Sequence, residues 1–509
     1  MNMNMNKNYF KTAAALLVIL SVILPVRVLA QDVSQRLDSH FVDLFNHQEF
    51  KGNVLVAEHG KPIYRKSFGF ADVQRNLLND DATTFNLASV SKTFTSVAVL
   101  QLMEKGKLRL DDRLVKYFPE FPFLEITISQ LLSHTSGLID YQIFEGPHQK
   151  DPARIFTLND LIPAVKADKR ALGWKPGEHW SYSNTGYGLL ALLVEKLSGG
   201  RFQDYLTKHI FLPAGMKHTY LTTPLIPVKD SHRAVRYEYV PYAPSVLRSV
   251  DSVKAEYIDA VILGAIIGPT AVVSSCQDLL NYDQALYSEK LLKSKTLDLA
   301  FTPAKLKNGA DVKMGWGGNS YGLGWMLLKS PYGKVVWHSG GAAGTVTALM
   351  RNIDKRQTLI VLDNVTHRGL HTDVINAHYV LNGASIAKKK RSAGLGYVMA
   401  LHRYGADAAA AQLLNMRADT ASFYLDEREM NRLGYALAGD GYLAEATEVM
   451  KVNTFLFPAS FNTYDSYGDL LKRAGKRQEA IWMLERSVAL NPNNEGGKKA
   501  LKELKASPH

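Results

Sequence analysis

Ala88-Ser89-Val90-Ser91-Lys92-Thr93-Phe94-Thr95 is the stretch around which the rest of the chain can be read. Thr83-Thr84-Phe85-Asn86-Leu87, just before it, has loop or short extended character. Residues 93–104, just after it, form a largely apolar run that reads as a buried helix. A serine at the start of a helix and a lysine three residues on share one face, about one turn apart. That spacing brings the lysine amine within reach of the serine oxygen. A serine hydroxyl is a weak nucleophile until a neighbouring base takes its proton. The N-terminus of a helix adds unpaired N–H groups and partial positive charge, which favour an oxyanion forming there. The arrangement suits acyl transfer through a serine ester.

The spacing alone decides little. Ser-x-x-Lys recurs at Ser385–Lys388, and a serine capping a core helix beside a surface lysine is the plain alternative. What separates the first copy from the second is its company downstream.

Length and composition narrow the field. The chain has 509 residues, room for two or more domains, with 46% hydrophobic and 21% charged residues. Of its net charge of +12, Lys7, Lys11 and Arg27 carry three in an acid-free leader. The remaining excess is mild, and no dense basic stripe with interleaved aromatics argues for nucleic acid. The single cysteine, Cys276, excludes an intramolecular disulfide and a Cys-rich zinc site. Residues 1–30 have the form of a secretory signal. Lys7 and Lys11 give a positive start, residues 12–24 a short apolar stretch, and Val28-Leu29-Ala30 a cleavage site before Gln31. The expectation is an exported protein, periplasmic in a two-membrane source, with no stable membrane anchor after cleavage. An uncleaved N-terminal anchor is the alternative.

Residues 34–48 have helical periodicity, and two β-rich runs around His59-Gly60 read as a hairpin. His134-Thr135-Ser136-Gly137 closes a short helix, and His134 reads as structural rather than catalytic. Trp174-Lys175-Pro176-Gly177-Glu178 is turn chemistry leading into Trp180-Ser181-Tyr182-Ser183-Asn184, and a helix over 189–197 follows. Residues 225–268 are irregular and suit loops over a cleft. Three strand-like runs, 334–338, 344–350 and 357–362, come next. Early hairpin and late meander together predict one antiparallel sheet covered by helices, an α+β architecture.

Beyond about residue 399 a 34-residue period sets in. Gly434, Ala446 and Pro458 recur as Gly468, Ala480 and Pro492, and Gly441 recurs as Gly475. That is tetratricopeptide spacing, two helices per unit, with a degenerate earlier copy at 404–416. The expected organisation is a signal over 1–30, a hydrolase domain over 31–385, a basic linker over 386–398 and an all-α helical-repeat domain over 399–509. The repeats read either as a protein- or peptide-binding groove or as a packing appendage.

Ser89-x-x-Lys92, Tyr182-Ser183-Asn184 and His338-Ser339-Gly340, in this order and spacing, resemble the penicillin-binding-protein and serine β-lactamase superfamily. The tyrosine motif is similar to its class C-like branch, with D-Ala-D-Ala carboxypeptidases, D-aminopeptidases and esterases. The resemblance covers roughly residues 35–370. It implies Ser89 as nucleophile, Lys92 as the group that takes or relays its proton, and Tyr182 as general base and acid with a phenol pKa lowered by positive charge. It also implies that Asn184, His338, Ser339 and Gly340 bind substrate, and that the N–H groups of Ser89 and Gly341 form the oxyanion hole. No metal or cofactor is implied. One departure stands out: His338 occupies the place of a lysine in typical class C β-lactamases, and a histidine is only partly charged near neutral pH.

These readings converge on an exported serine hydrolase acting on a peptide, amide or ester of the D-amino-acid peptidase or esterase type. A β-lactamase is the alternative within the enzyme class. A non-catalytic ligand-sensing protein is the alternative outside it.

Overall fold

A computed structural model describes residues 33–250, 265–315, 319–367 and 369–506. The expected signal at 1–30 and part of the 225–268 stretch lie outside them. The chain forms two compact units, one from the described parts of Met1–Glu238 and Arg248–Ser385, the other from Tyr239–Leu247 and Ile386–His509. Among the described residues, no helix is long and apolar enough to cross a membrane.

The first unit is built on a seven-stranded antiparallel sheet. Its strands are β1 (Gly52–Glu58), β2 (Lys61–Ser67), β3 (Ser320–Tyr321), β4 (Met326–Leu328), β5 (Val335–Ala342), β6 (Thr345–Asn352) and β7 (Gln357–Asp363), in the spatial order β3-β4-β5-β6-β7-β1-β2. The early hairpin thus joins the late meander, with Val54 opposite Val361 and Val56 opposite Leu359. Every residue of β6 and β7 is buried, the pattern of strands covered on both faces. Side chains alternate between faces. Leu55, Val336, Leu349, Ile360 and Leu362 face the main core, together with Phe94, Val97 and Leu100 of helix α1 (Ser91–Glu104). Trp337 faces the other way, its ring 6.4 Å from that of His371.

Helix α1 is buried nearly all round, as a central helix must be. From Leu87 to Leu102 only Ser89 is not buried. Two buried hydroxyls on α1 donate to backbone carbonyls: Thr95 Oγ1 to Gly268 O at 2.6 Å and Ser96 Oγ to Leu323 O at 2.6 Å. Helix α2 (Asn184–Ser198) begins five residues earlier than its apolar pattern suggests, because Ser183 caps it by accepting from Gly186 N–H. The second Ser-x-x-Lys copy, Ser385–Lys388, lies in no helix or strand. Helices α3 (Cys276–Tyr287) and α4 (Leu370–Leu381) complete the layers, and Cys276 is buried.

The second unit contains α5 (Ala393–Tyr404), α6 (Ala406–Ala418), α7 (Glu427–Gly439), α8 (Leu443–Leu456), α9 (Phe461–Arg473), α10 (Arg477–Leu490) and α11 (Glu495–Ala506). Both ends of α9 and α10 lie 34 residues after the corresponding ends of α7 and α8. The repeated glycines mark close helix approach: a Cβ on Gly434 would sit 2.7 Å from Met450, and one on Gly468 2.8 Å from Leu484. Helix α5 starts at Ala393, within the stretch that reads as linker, and 34 residues before α7. Val240 and Tyr242 belong to this unit's apolar core, beside Tyr397, Leu401 and Leu437.

Candidate active site

Ser89 sits in a 3-10 turn, Ala88–Val90, that runs directly into α1. Ala88 has φ +45°, a left-handed conformation that costs an alanine energy and recurs at functional turns. Asn86 Oδ1 accepts the Ala88 N–H at 2.8 Å, and Thr347 Oγ1 on β6 donates to Leu87 O at 2.7 Å. Sheet and turn are pinned together this way, and glycine at 340 permits it. A Cβ there would lie 2.3 Å from Leu87 O and 3.1 Å from the Ala88 Cβ.

One turn along α1, fully buried Lys92 places Nζ 3.0 Å from Ser89 Oγ, 2.6 Å from Asn184 Oδ1 and 3.0 Å from Pro269 O. Burial pushes its pKa down to about 7, against the opposing pull of Asp140. A neutral amine has two N–H donors and one lone pair. The two carbonyl oxygens take the donors, and the lone pair remains for the Ser89 hydroxyl. The site therefore holds a lysine able to act as a base at neutral pH.

Tyr182 closes the other side, its ring centroid 4.7 Å from Lys92 Nζ and its phenol hydrogen-bonded to Ser89. The pKa shift runs opposite to the one that the resemblance implies. Burial raises the phenol's pKa, and Tyr187 and Asp140 raise it further. Lys92, with its own pKa lowered to about 7, is only partly charged near neutral pH and does not reverse this. Tyr182 is thus a protonated phenol beside the serine. His134, with φ +59°, clamps it from both flanks: its carbonyl accepts the Ser181 N–H at 2.8 Å and its Nδ1 the Ser183 N–H at 3.1 Å. The His134 ring stacks 4.3 Å from the Tyr182 ring, and burial holds its pKa well below the usual value. Its place is structural.

Asp140 is a site residue that the sequence motifs do not reveal. Its carboxylate accepts the Asn184 backbone N–H at 2.8 Å and Asn184 Nδ2–H at 2.9 Å. That orients the amide so that Oδ1 faces Lys92. The only signal was position, three residues past Gly137 in a turn that packs against the tyrosine motif.

His338 differs from the expected wall of the cleft. It is fully buried. Burial, with Lys92 nearby, lowers its pKa to about 3, so it is neutral rather than partly charged. Nδ1 lies 2.7 Å from Ser339 O, an acceptor, so Nε2 accepts from the Tyr321 hydroxyl at 3.1 Å. It backs the site through Tyr321 and does not line the cavity. Ser339 sits on the opposite face, its Oγ toward Met326 Sδ.

Gly341 lines the cavity with Ser89. Ala342 and Thr345 flank a two-residue turn, so hydrogen-bonded pairs of β5 and β6 recur at Gly340–Thr347 and His338–Leu349. The N–H of Gly341 then points away from β6, toward a side where β4 pairs only as far as Trp337. It faces the open edge. A cavity of about 1330 Å³ lies over Ser89, lined by Asp140, Asn184, Gly341 and parts of the 222–236 segment. The arrangement provides a serine, a buried base, a neutral phenol and backbone donors around one opening.

The profile of the Beta-lactamase family matches residues 33–381. Penicillin-binding protein 4* of Bacillus subtilis (strain 168) is 36% identical over 336 residues, 66% of this chain and 72% of that protein. The octameric penicillin-binding protein homologue from Pyrococcus abyssi superposes with a TM-score of 0.59 at 25% identity, over 69% of this chain and 78% of that one. D-amino acid amidase from Ochrobactrum anthropi SV3 shares the fold, with a TM-score of 0.55 at 19% identity over 69% of this chain and 99% of that one. With the Ser89–Lys92–Tyr182 arrangement in place, the chain belongs to the beta-lactamase family, as a serine hydrolase of the penicillin-binding type.

Proposed function

We propose that the protein hydrolyses a D-amino-acid peptide, amide or ester through an acyl group carried on Ser89. The observation that carries this reading is the contact between Ser89 Oγ and the buried, near-neutral Lys92. Lys92 takes the serine proton as Oγ forms its bond to the substrate carbonyl carbon. The oxyanion is received by the N–H groups of Ser89 and Gly341, each such donor being worth roughly 2.7–4 kcal/mol. The carbonyl–nitrogen or carbonyl–oxygen bond then breaks, and the leaving group takes a proton through the Tyr182 phenol. Water repeats the sequence in reverse on the acyl-serine and restores the hydroxyl.

Neutral, buried His338 supports the substrate class. It offers no cation to a β-lactam carboxylate where a lysine would, which favours amides and esters over antibiotic hydrolysis. Export is part of the same proposal, resting on residues 1–30, and so is docking of a protein or peptide by the helices of 399–509.

The test is one mass spectrum of the protein and its Ser89→Ala variant after incubation with benzylpenicillin, followed by turnover of D-aminoacyl amides and p-nitrophenyl esters. Turnover of amides or esters that is lost in Ser89→Ala supports the proposal, and a drug adduct on the serine protein alone would also place the nucleophile. Opened drug without an adduct would assign a β-lactamase instead. No adduct, no opened drug and no turnover would leave the ligand-sensing reading.

A further inference from the structure

The peptide between Gly340 and Gly341 holds the second oxyanion donor: its carbonyl faces β6 through the Gly340–Thr347 pair, while the Gly341 N–H on the other side has no strand opposite it. Glycine at 340 is forced by the approach to Leu87 O. Nothing comparable forces glycine at 341, where a Cβ would meet no atom within 4 Å. The ladder bond to β6 tethers this plane at one point, and tilting it between two glycines would turn the Gly341 N–H away from the cavity. An oxyanion hole is effective only when its donors are fixed before charge develops.

One side chain grips this plane from behind. His371 stands in the first turn of α4, on the face of the sheet opposite the site, with Nε2 3.2 Å from Gly340 O. A carbonyl oxygen can only accept, so Nε2 carries the proton. The His371 ring is held in turn by Trp337, two residues before Ser339 on β5. Burial lowers its pKa, opposed by backbone hydrogen bonding at Gly340 and Thr347, the facing pair of β5 and β6.

We propose that His371 is a positioning residue for the oxyanion hole, fixing the Gly340–Gly341 peptide so that the Gly341 N–H faces the acyl oxygen. The geometry is a relay across the sheet: imidazole N–H to carbonyl on one face, amide N–H to substrate at the edge. Hydrogen bonding at the carbonyl also polarises the amide and strengthens it as a donor. This inference rests on the acyl-serine reading given above. It adds a residue that never touches substrate.

The test compares full-length protein with His371→Ala and His371→Gln, using a p-nitrophenyl ester and phenylboronic acid, whose serine adduct places a negative charge in the hole. In His371→Ala, kcat should fall about 10- to 100-fold, below the effect of deleting a donor outright. KM should change less than about threefold, phenylboronic acid should weaken in parallel with kcat, and the thermal midpoint should hold. Glutamine carries an N–H that can reach the same carbonyl, and should recover most of the loss. A wild-type kcat in His371→Ala would overturn the proposal. So would a loss that follows thermal destabilisation and is not recovered by glutamine. A wild-type protein that neither turns over esters or amides nor binds the boronate would instead overturn the acyl-serine reading, and this inference with it.

Discussion

Lys92 carries the strongest expectation at the scale of single residues. Acylation requires its neutral form, which predominates above the folded pKa of about 7. The acylation rate should therefore rise with pH through a limb near 7 and level off above it. A Tyr182 phenolate acting as base would place that limb above the ordinary tyrosine value, since burial raises the phenol's pKa. A stopped-flow pH profile of acylation by a p-nitrophenyl ester separates the two: a limb near 7 supports Lys92, and a limb above 10 would assign the base to Tyr182. Asp140 acts one step back. Its two hydrogen bonds hold the Asn184 amide with Oδ1 toward Lys92. Asp140→Asn brings a donor against Asn184 Nδ2–H and removes charge-assisted bonds worth about 1.5–3 kcal/mol each. Acylation should slow by roughly one to two orders of magnitude with the fold intact by circular dichroism. An unchanged rate would remove Asp140 from the site's working parts.

The β5–β6 hairpin meets the chain at Leu87–Ala88 through one hydrogen bond, from Thr347 on β6, and one missing side chain, at Gly340 on β5. Gly340→Ala places a methyl group 2.3 Å from Leu87 O, against backbone that cannot yield. The strand must retreat, at about 1–3 kcal/mol of stability, and acylation should be lost with it. Gly341→Ala adds its methyl to open space and keeps the N–H. It should fold as wild type, and kinetics on the purified pair would show whether the two glycines differ as predicted. The same strand shows how far sequence reaches. Ser89 and Lys92 were legible as a pair because one helical turn separates them, whereas Tyr182 and Asn184 were legible only through the family resemblance. His338 was legible as a position, but its burial and neutrality were not. Alternation fixes which face of β5 it takes, whereas the Tyr321 hydroxyl that engages it comes from another strand. Asp140 and His371 escaped for the same reason: each acts on the site through a backbone or amide group, from a segment brought there only by tertiary packing.

At the scale of the whole chain, the two units were legible to different degrees. The 34-residue period predicts the helix pairs because each repeat packs the same small residue of its first helix against its second, as Gly434 does against Met450 and Gly468 against Leu484. The contribution of Tyr239–Leu247 to the helical unit was not legible. Tyr-Glu-Tyr-Val-Pro-Tyr falls in the 225–268 stretch that reads as irregular loops over a cleft, and no local pattern says which core receives it. Yet Tyr242 is buried there, its ring 5.0 Å from His402 and 5.8 Å from Tyr442, and its hydroxyl donates to Asp440 at 2.7 Å. The core of the helical unit is therefore discontinuous in sequence. Tyr242→Ala in the full-length protein should leave a cavity costing about 3–5 kcal/mol, the range for large aromatic truncations. Tyr242→Phe keeps the ring and should cost only about 0.5–1.5 kcal/mol for the hydrogen bond. Hydrogen exchange read by mass spectrometry should show faster opening of α5, α7 and α8 in the alanine variant, and near wild-type protection in the phenylalanine variant. Equal protection in all three proteins would mean that the helices carry their own stability and that Tyr242 merely rests on them.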